Sequence, residues 1–180
     1  MIDKSLPNKL TMSRVIAIPV FIALFMLGYR YISAVVFVLA SVTDYFDGKL
    51  ARKYNIISNF GKLMDPLADK MLVIAALMLL TETKEIHFLC TLIVVLRELM
   101  ISSIRLIALE QNIVIAASIW GKLKTSTQMI AIILLLFRVY SINPYLYYLT
   151  YGLFYVSTAF VVISLIDYIV KSKNVFISKM

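Results

Sequence analysis

The chain has 180 residues, of which 62% are hydrophobic and 16% are charged, and its mean hydropathy is +0.91. Soluble domains carry about 45–50% apolar and about 25% charged residues, so the composition excludes an ordinary soluble domain. The net charge of +8 does not indicate nucleic acid as a partner, because the basic residues are not gathered into one stripe or tail. A single cysteine and a single histidine exclude a disulfide framework and make a zinc site built on these residues improbable.

The apolar runs predict an all-α membrane protein with six transmembrane helices, since about 20 apolar residues cross a bilayer. Residues 1–13 are expected to form an interfacial segment, interrupted near Pro7, with no cleavable signal peptide. The remainder divides into one six-helix domain over 14–170 and a basic tail over 171–180. The spans are predicted at about 14–29, 31–53, 61–81, 88–110, 116–139 and 145–170.

Four of these spans are half apolar and half polar. Polar halves cannot all face lipid, so they are expected to face one another around a wet cavity. An even number of spans places both termini on one side, and all but three of the 18 lysines and arginines fall on that side. The three exceptions are Arg30, Lys84 and Arg138. The positive-inside rule therefore predicts a cytoplasmic cavity and cytoplasmic termini.

Two pairs of aspartates lie in the second and third spans, where a charged side chain is costly and rarely kept without a function. Asp44 and Asp47 are three residues apart, and Asp65 and Asp69 are four apart. On helices each pair shares one face, and the antiparallel order of the spans brings both pairs to a similar depth. Four neighbouring carboxylates repel, so either several are protonated or cations neutralise them.

Oxygen ligands without cysteine or histidine select hard cations, so the aspartates favour a site for two divalent ions, Mg²⁺ or Mn²⁺. Two such ions can clamp a phosphoryl group during in-line displacement. The alternative is a set of separate salt bridges with nearby basic residues, which are Lys49, Arg52, Lys62 and Lys70. The small residues Gly48 and Ala51 fit helix packing as well as the approach of a base or pyrophosphate, and Arg52 could hold a second phosphate.

Taken together, these residues form the pattern Asp44-x2-Asp47-Gly48-x2-Ala51-Arg52-x8-Gly61-x3-Asp65-x3-Asp69. This pattern resembles the signature of the CDP-alcohol phosphatidyltransferase family, without a departure at any fixed position. The resemblance implies a six-helix membrane fold, usually dimeric, that moves a phosphatidyl group from a CDP-lipid to an alcohol and releases CMP.

The resemblance also implies roles for individual residues. Asp44, Asp47 and Asp65 would bind the metals, and Asp69 would join the metal site and act as the base for the incoming hydroxyl. The cytidine diphosphate would face Gly48, Ala51 and Arg52. We expect further CDP-lipid contacts from Ser58 and Gly61 and from Asn8 and Thr11 of "PNKLTMSR".

The acceptor alcohol is indicated by basic residues outside the signature. The stretches "LRELMISSIR" and "WGKLKTSTQM" contain Arg97, Arg105 and Lys124, and these resemble the members of the family that act on glycerol 3-phosphate. Fixed cations suit an acceptor that carries a phosphate, so these three residues and Arg14 are predicted to bind that phosphate. The alternative is that Arg97 pairs with Glu98 or a carbonyl group, and that the lysine only orients its span.

The sequence thus predicts a multi-pass enzyme of the bacterial cell membrane that transfers the phosphatidyl group of CDP-diacylglycerol to glycerol 3-phosphate. Its expected partners are these two substrates, membrane lipid and a second copy of the chain. Inositol phosphate, serine or phosphatidylglycerol remain alternative acceptors. A cation- or proton-coupled transporter is the alternative of another class, although such a protein needs polar groups leading to both faces.

Overall fold

A computed structural model describes the backbone of residues 6–54, 59–110, 118–138 and 141–172, and side chains at 15–43, 67, 70–108, 118–138 and 141–172. Within these ranges the chain is entirely helical, with six α-helices and no strand. The helices are α1 Leu6–Met26, α2 Arg30–Tyr54, α3 Asn59–Glu82, α4 Phe88–Glu110, α5 Ile119–Leu136 and α6 Pro144–Lys171. The predicted all-α class is confirmed.

The helix boundaries follow the sequence closely, with two informative differences, at the first and fifth helices. α1 begins at Leu6, so residues 6–13 continue the first predicted span without a break. Pro7 does not interrupt this helix because it lies in the first turn, where a missing backbone N–H breaks no intrahelical hydrogen bond. α5 is shorter than predicted and ends before Arg138, whose φ of 51° stops the right-handed helix.

The chain divides into two compact units, Met1–Glu82 and Thr83–Met180. In the first unit, α1 packs against both α2 and α3. Phe21 of α1 and Phe37 of α2 are fully buried, with ring centroids 5.6 Å apart, and Leu77 and Leu80 of α3 are also buried. α1 is therefore the helix that organises the first unit.

In the second unit, α6 packs against both α4 and α5. Its buried residues recur at intervals of four and three, which is the spacing of one helix face; they are Thr150, Phe154, Ser157, Val161, Ser164 and Tyr168. Small hydroxyl residues on this face allow close approach between helices, as is common in membrane proteins. The face brings α6 next to the charged residues of α4 and α5 described below.

Two helices, Ile119–Leu136 and Pro144–Lys171, are long and apolar enough to cross a membrane. Only 33% and 28% of their apolar windows are buried inside the protein, so most of this apolar surface is left for lipid. Shorter apolar helical stretches lie at Val15–Met26 and Arg30–Thr43. These features indicate a membrane-associated protein.

Candidate active site

The four aspartates lie on two adjacent helices of the first unit. Asp44 and Asp47 belong to α2, and Asp65 and Asp69 belong to α3. Both helices run unbroken through these positions, so separations of three and four residues place each pair on one helix face. Their side chains lie outside the described residues, and the meeting of the two pairs at one site stays a prediction.

The predicted CDP-lipid residues lie on the same helices or on α1, which packs against both. Gly48, Ala51 and Arg52 are in α2, Gly61 is in α3, and Asn8 and Thr11 are in α1. Ser58 lies outside the described residues. Two helices of the first unit thus carry the signature, and α1, which contacts both, carries the other two predicted residues. The side chains themselves are not among those described.

The donor set of the predicted metal site consists of carboxylate oxygens alone. Among the side chains that the structure describes, no three His, Cys, Asp or Glu residues are grouped as a metal ion would require. The aspartates of α2 and α3 lie outside that set of side chains, and the metal site that they are predicted to form stays a prediction. Their oxygen-only chemistry fits Mg²⁺ or Mn²⁺.

The second unit contains a buried charge cluster, which consists of Arg97, Glu98, Lys124 and Ser164. The Glu98 carboxylate oxygen Oε1 accepts hydrogen bonds from Arg97 Nη1 at 2.8 Å and from Lys124 Nζ at 2.5 Å. Arg97 Nη2 donates to Ser164 Oγ at 2.7 Å. These bonds join three helices, because the residues lie on α4, α5 and α6.

The antiparallel register of α4 and α5 explains why Glu98 meets Lys124. At one end of this helix pair, Arg138 Nη2 lies 3.8 Å from Glu85 Oε1, just before α4 begins. Glu98 lies 13 residues after Glu85, along α4. Lys124 lies 14 residues before Arg138, along α5. Both distances correspond to about 20 Å of helix, so the two contacts share one register.

The helix backbones leave room for long side chains at this point. Within the described ranges, α6 packs directly on α4 and on α5, whereas α4 and α5 are not directly packed on each other. The hydrogen bond between Glu98 and Lys124 therefore spans a separation that the two backbones do not close. Gly121 adds space beside them, since a methyl group there would lie 3.5 Å from Arg97 Nη2 and 3.7 Å from Ser164 Oγ.

The cluster is buried, and its described side chains carry more positive than negative charge. The side chains of Arg97, Glu98 and Lys124 are only 10%, 11% and 5% exposed. Two cations and one anion leave one net positive charge, and Arg97 Nε has no hydrogen-bond partner among the described residues. Removing charges from water is costly unless they are paired, so a buried excess of one sign favours a site that receives an anion.

The structure brings together two of the four predicted phosphate-binding residues, Arg97 and Lys124. Glu98 pairs with Arg97, as the alternative interpretation of the sequence proposed, but it also binds the lysine. Arg105 is exposed and lies eight residues beyond Arg97 on α4, about 12 Å along the helix axis. Arg14 is in α1 of the other unit, and its side chain is not among those described.

Sequence reasoning missed Ser164 and assigned no role to Gln128. Ser164 could have been suspected from the spacing of seven residues that separates Thr150, Ser157 and Ser164 on one face of α6. Gln128 lies one helical turn beyond Lys124 and is 2% exposed, and neither atom of its amide has a partner in the described part of the chain. No spacing signal predicts an unpartnered amide, because its neighbours come from other helices.

Comparison with known proteins identifies the family of the chain. A family model described as CDP-alcohol phosphatidyltransferase matches residues 4–169. The chain is 41% identical over 138 residues to a protein of Rickettsia prowazekii strain Madrid E, covering 75% of this chain and 76% of that protein. It is 37% identical over 177 residues to a protein of Haemophilus influenzae, covering 94% of each.

A third similar protein, from Bacillus subtilis strain 168, is 36% identical over 147 residues, covering 73% of this chain and 76% of that protein. All three proteins are named CDP-diacylglycerol–glycerol-3-phosphate 3-phosphatidyltransferase. The family model spans nearly the whole chain, and the relatives are similar over most of their own length. The chain therefore belongs to the CDP-alcohol phosphatidyltransferase family.

Proposed function

We propose that this protein transfers the phosphatidyl group of CDP-diacylglycerol to sn-glycerol 3-phosphate, giving phosphatidylglycerol phosphate and CMP. Family membership supports the phosphatidyl transfer, and the names of the three relatives support the two substrates. The observation that carries the choice of acceptor is the buried charge cluster. The cluster offers a phosphate the buried donor Arg97 Nε, which has no partner among the described residues, and an excess of cations among its described side chains.

The acceptor phosphate binds to Arg97 and Lys124 in this proposal. A guanidinium group offers a planar set of donors that matches phosphate oxygens, and an ammonium group adds a compact charge. Arg97 Nε supports this role, because it is a buried donor with no partner among the described residues. A bound phosphate would satisfy that donor and balance the positive charge of the cluster.

Asp44, Asp47, Asp65 and Asp69 would hold two divalent ions, either Mg²⁺ or Mn²⁺. Such ions neutralise the pyrophosphate of the CDP-lipid and stabilise the negative charge on the leaving CMP. Gly48, Ala51 and Arg52 would contact the cytidine diphosphate, with Gly61, Ser58, Asn8 and Thr11 nearby. The support for these assignments is the match of the residues to the family signature and their position on contacting helices.

The proposed reaction needs one base and no covalent enzyme intermediate. Asp69 accepts the proton of the 1-hydroxyl group of glycerol 3-phosphate. The hydroxyl oxygen forms a bond to the phosphorus that carries the diacylglycerol, and the bond from that phosphorus to the CMP oxygen breaks. The acyl chains lie in the bilayer, while the head group of the lipid reaches the polar side of the protein.

The membrane arrangement is part of the same proposal. Six spans with both termini in the cytoplasm would place the aspartates and the basic residues on the side that supplies glycerol 3-phosphate. The support is the distribution of lysine and arginine along the sequence. We further propose that the protein is a homodimer in the bacterial cell membrane, as the family resemblance implies.

A competition assay tests the choice of acceptor. Purified protein in mixed micelles receives CDP-diacylglycerol, Mg²⁺ or Mn²⁺, and equal amounts of glycerol 3-phosphate, inositol phosphate, serine and phosphatidylglycerol. The expected lipid product, identified by mass spectrometry, is phosphatidylglycerol phosphate, formed in equal amount to the CMP released. A predominant product from serine or phosphatidylglycerol would overturn the assignment of the acceptor, and absence of CMP release would overturn the transferase reaction.

A further inference from the structure

Glu98 occupies an unusual position in the buried charge cluster, because one of its oxygens serves both cations. Oε1 accepts from Arg97 on its own helix and from Lys124 on α5. Both bonds are charge-assisted, which makes them stronger than bonds between neutral groups. A single acidic side chain therefore fixes two basic side chains that would otherwise repel each other in a buried site.

The arginine is held from two directions. Its Nη1 donates to Glu98, and its Nη2 donates to Ser164 on α6 at 2.7 Å. These two bonds fix the plane of the guanidinium group relative to α6, while Nε remains available as a donor. The orientation of Arg97 thus exists before any ligand binds, which lowers the entropy cost of binding an anion.

We propose that Glu98 is a positioning residue for the acceptor phosphate, because it holds Arg97 and Lys124 side by side across α4 and α5. This inference rests on the proposed function, in which these two cations bind that phosphate. Glu98 does not contact the phosphate itself, since both groups are negatively charged. Its geometric contribution favours phosphate binding, because it holds the two cations in place. Its negative charge has the opposite effect, because it weakens the attraction between the cluster and the phosphate.

These two effects of Glu98 have opposite signs, so a substitution separates them. Glu98→Gln removes one negative charge and leaves the cluster more positive. If charge alone governed binding, the KM for glycerol 3-phosphate would fall. If positioning governs it, the KM rises roughly tenfold, which is the scale of losing one charge-assisted hydrogen bond. We expect the rise, with kcat and the KM for CDP-diacylglycerol changed less than about twofold at the same time.

Glu98→Asp provides the second variant, because it keeps the charge but shortens the side chain by one methylene group. A positioning role predicts that its KM for glycerol 3-phosphate also rises, since the shorter carboxylate cannot reach both cations. A role for charge alone predicts the wild-type value. A fall of the KM in the glutamine variant, together with a wild-type KM in the aspartate variant, would overturn the positioning role.

Asp167→Asn is the matched control for charge. Asp167 Oδ2 lies 2.9 Å from Lys171 Nζ at the end of α6, in a pair whose lysine is 53% exposed. This variant removes the same unit of charge without disturbing the cluster, so its kinetic constants are expected to stay at wild-type values. If it raises the KM for glycerol 3-phosphate as much as Glu98→Gln does, the effect is not positional.

The failure of this inference can be distinguished from the failure of the proposed function. Arg97→Met and Lys124→Met test the phosphate site directly, without reference to the glutamate. If neither raises the KM for glycerol 3-phosphate, the proposed phosphate site is wrong and the inference falls with it. If both raise it while Glu98→Gln lowers it, the phosphate site stands and only the positioning role is overturned. If the glutamate variants raise the KM for both substrates equally and lower the Tm, Glu98 is a structural residue.

Discussion

The two charged regions of the protein differ in how their charges are balanced. One region consists of the aspartates of α2 and α3, and the other is the buried charge cluster of α4, α5 and α6. The first set has four anions, and Arg52 is the one cation at the fixed positions of its signature. The second set combines two cations with one anion among the described side chains. In our proposal the first set binds divalent ions from solution, whereas the second set pairs most of its charge within the protein.

This difference follows from what each region is proposed to bind. A pyrophosphate carries strong negative charge, so a purely acidic site can bind it only through cations. A phosphate monoester can bind directly to arginine and lysine, and a neighbouring glutamate limits the repulsion between them. The comparison teaches that the sign of the excess charge in each set indicates the charge of the ligand proposed for it. The acidic set is proposed to bind metal cations, and the basic set is proposed to bind a phosphate anion.

The largest effect is expected in the acidic region. Asp69→Asn removes the proposed base, and general base catalysis contributes roughly 10²- to 10⁴-fold to a rate, so kcat should fall by that amount. Binding of the CDP-lipid should be largely retained, because the other three aspartates remain. Release of labelled CMP measures the rate, and equilibrium binding of labelled CDP-diacylglycerol measures the affinity.

Glu82→Gln is the control for this variant, since it removes a carboxylate from the last residue of the same helix. Its kcat is expected to equal that of the wild-type protein. Normal turnover in Asp69→Asn would contradict the role of Asp69 as the base. A loss of CDP-lipid binding with no separate loss of kcat would assign Asp69 to the metal site alone.

The next effect is expected in the buried charge cluster. Lys124→Met removes a 5% exposed cation, and we expect the KM for glycerol 3-phosphate to rise roughly ten- to a hundredfold, as loss of a charge-assisted hydrogen bond implies. Lys122→Met is the matched control, because Lys122 lies on the same helix but is exposed. Steady-state kinetics with both substrates measures the two variants. Equal KM values in them would remove Lys124 from the phosphate site.

The helices that carry the four aspartates could be predicted from the sequence because the pattern is local. Separations of three and four residues mean the same face on any unbroken helix, and α2 and α3 are unbroken at these positions. Likewise α4 begins at Phe88 and ends at Glu110, as its apolar run predicts. The start of α1 differs from the prediction, because Pro7 lies in the first turn of the helix and does not interrupt it.

The basic region could be predicted only in part because its contacts are distant in sequence. Lys124 reaches Glu98 across 26 positions, and Arg97 reaches Ser164 across 67. Adjacent helical residues such as Arg97 and Glu98 do not normally face each other, so their ion pair cannot be inferred from spacing. It forms because Lys124 and Ser164 approach from two other helices, and helix register sets that approach.

Arg105 offers a smaller effect that tests how far the basic region extends. Its side chain is exposed, so its attraction for an anion is screened by water and salt. Arg105→Gln is expected to raise the KM for glycerol 3-phosphate by roughly two- to threefold at low ionic strength, and by less in 0.5 M salt, where the Debye length is about 4 Å. A rise as large as that of Lys124→Met, insensitive to salt, would instead indicate direct contact with the phosphate.

The smallest effect is expected outside both sets of charges, at Gln128. This amide is buried on α5, and both its nitrogen and its oxygen lack partners among the described residues. An unsatisfied buried polar group costs about 1–3 kcal/mol, so Gln128→Met should raise the Tm by removing that cost at similar volume. Thr127→Val is the control, since the Thr127 hydroxyl donates to the Leu123 carbonyl at 2.7 Å, and its loss should not raise the Tm. A lower Tm for Gln128→Met in detergent would mean that the amide has a bound partner, such as water, that stabilises the protein.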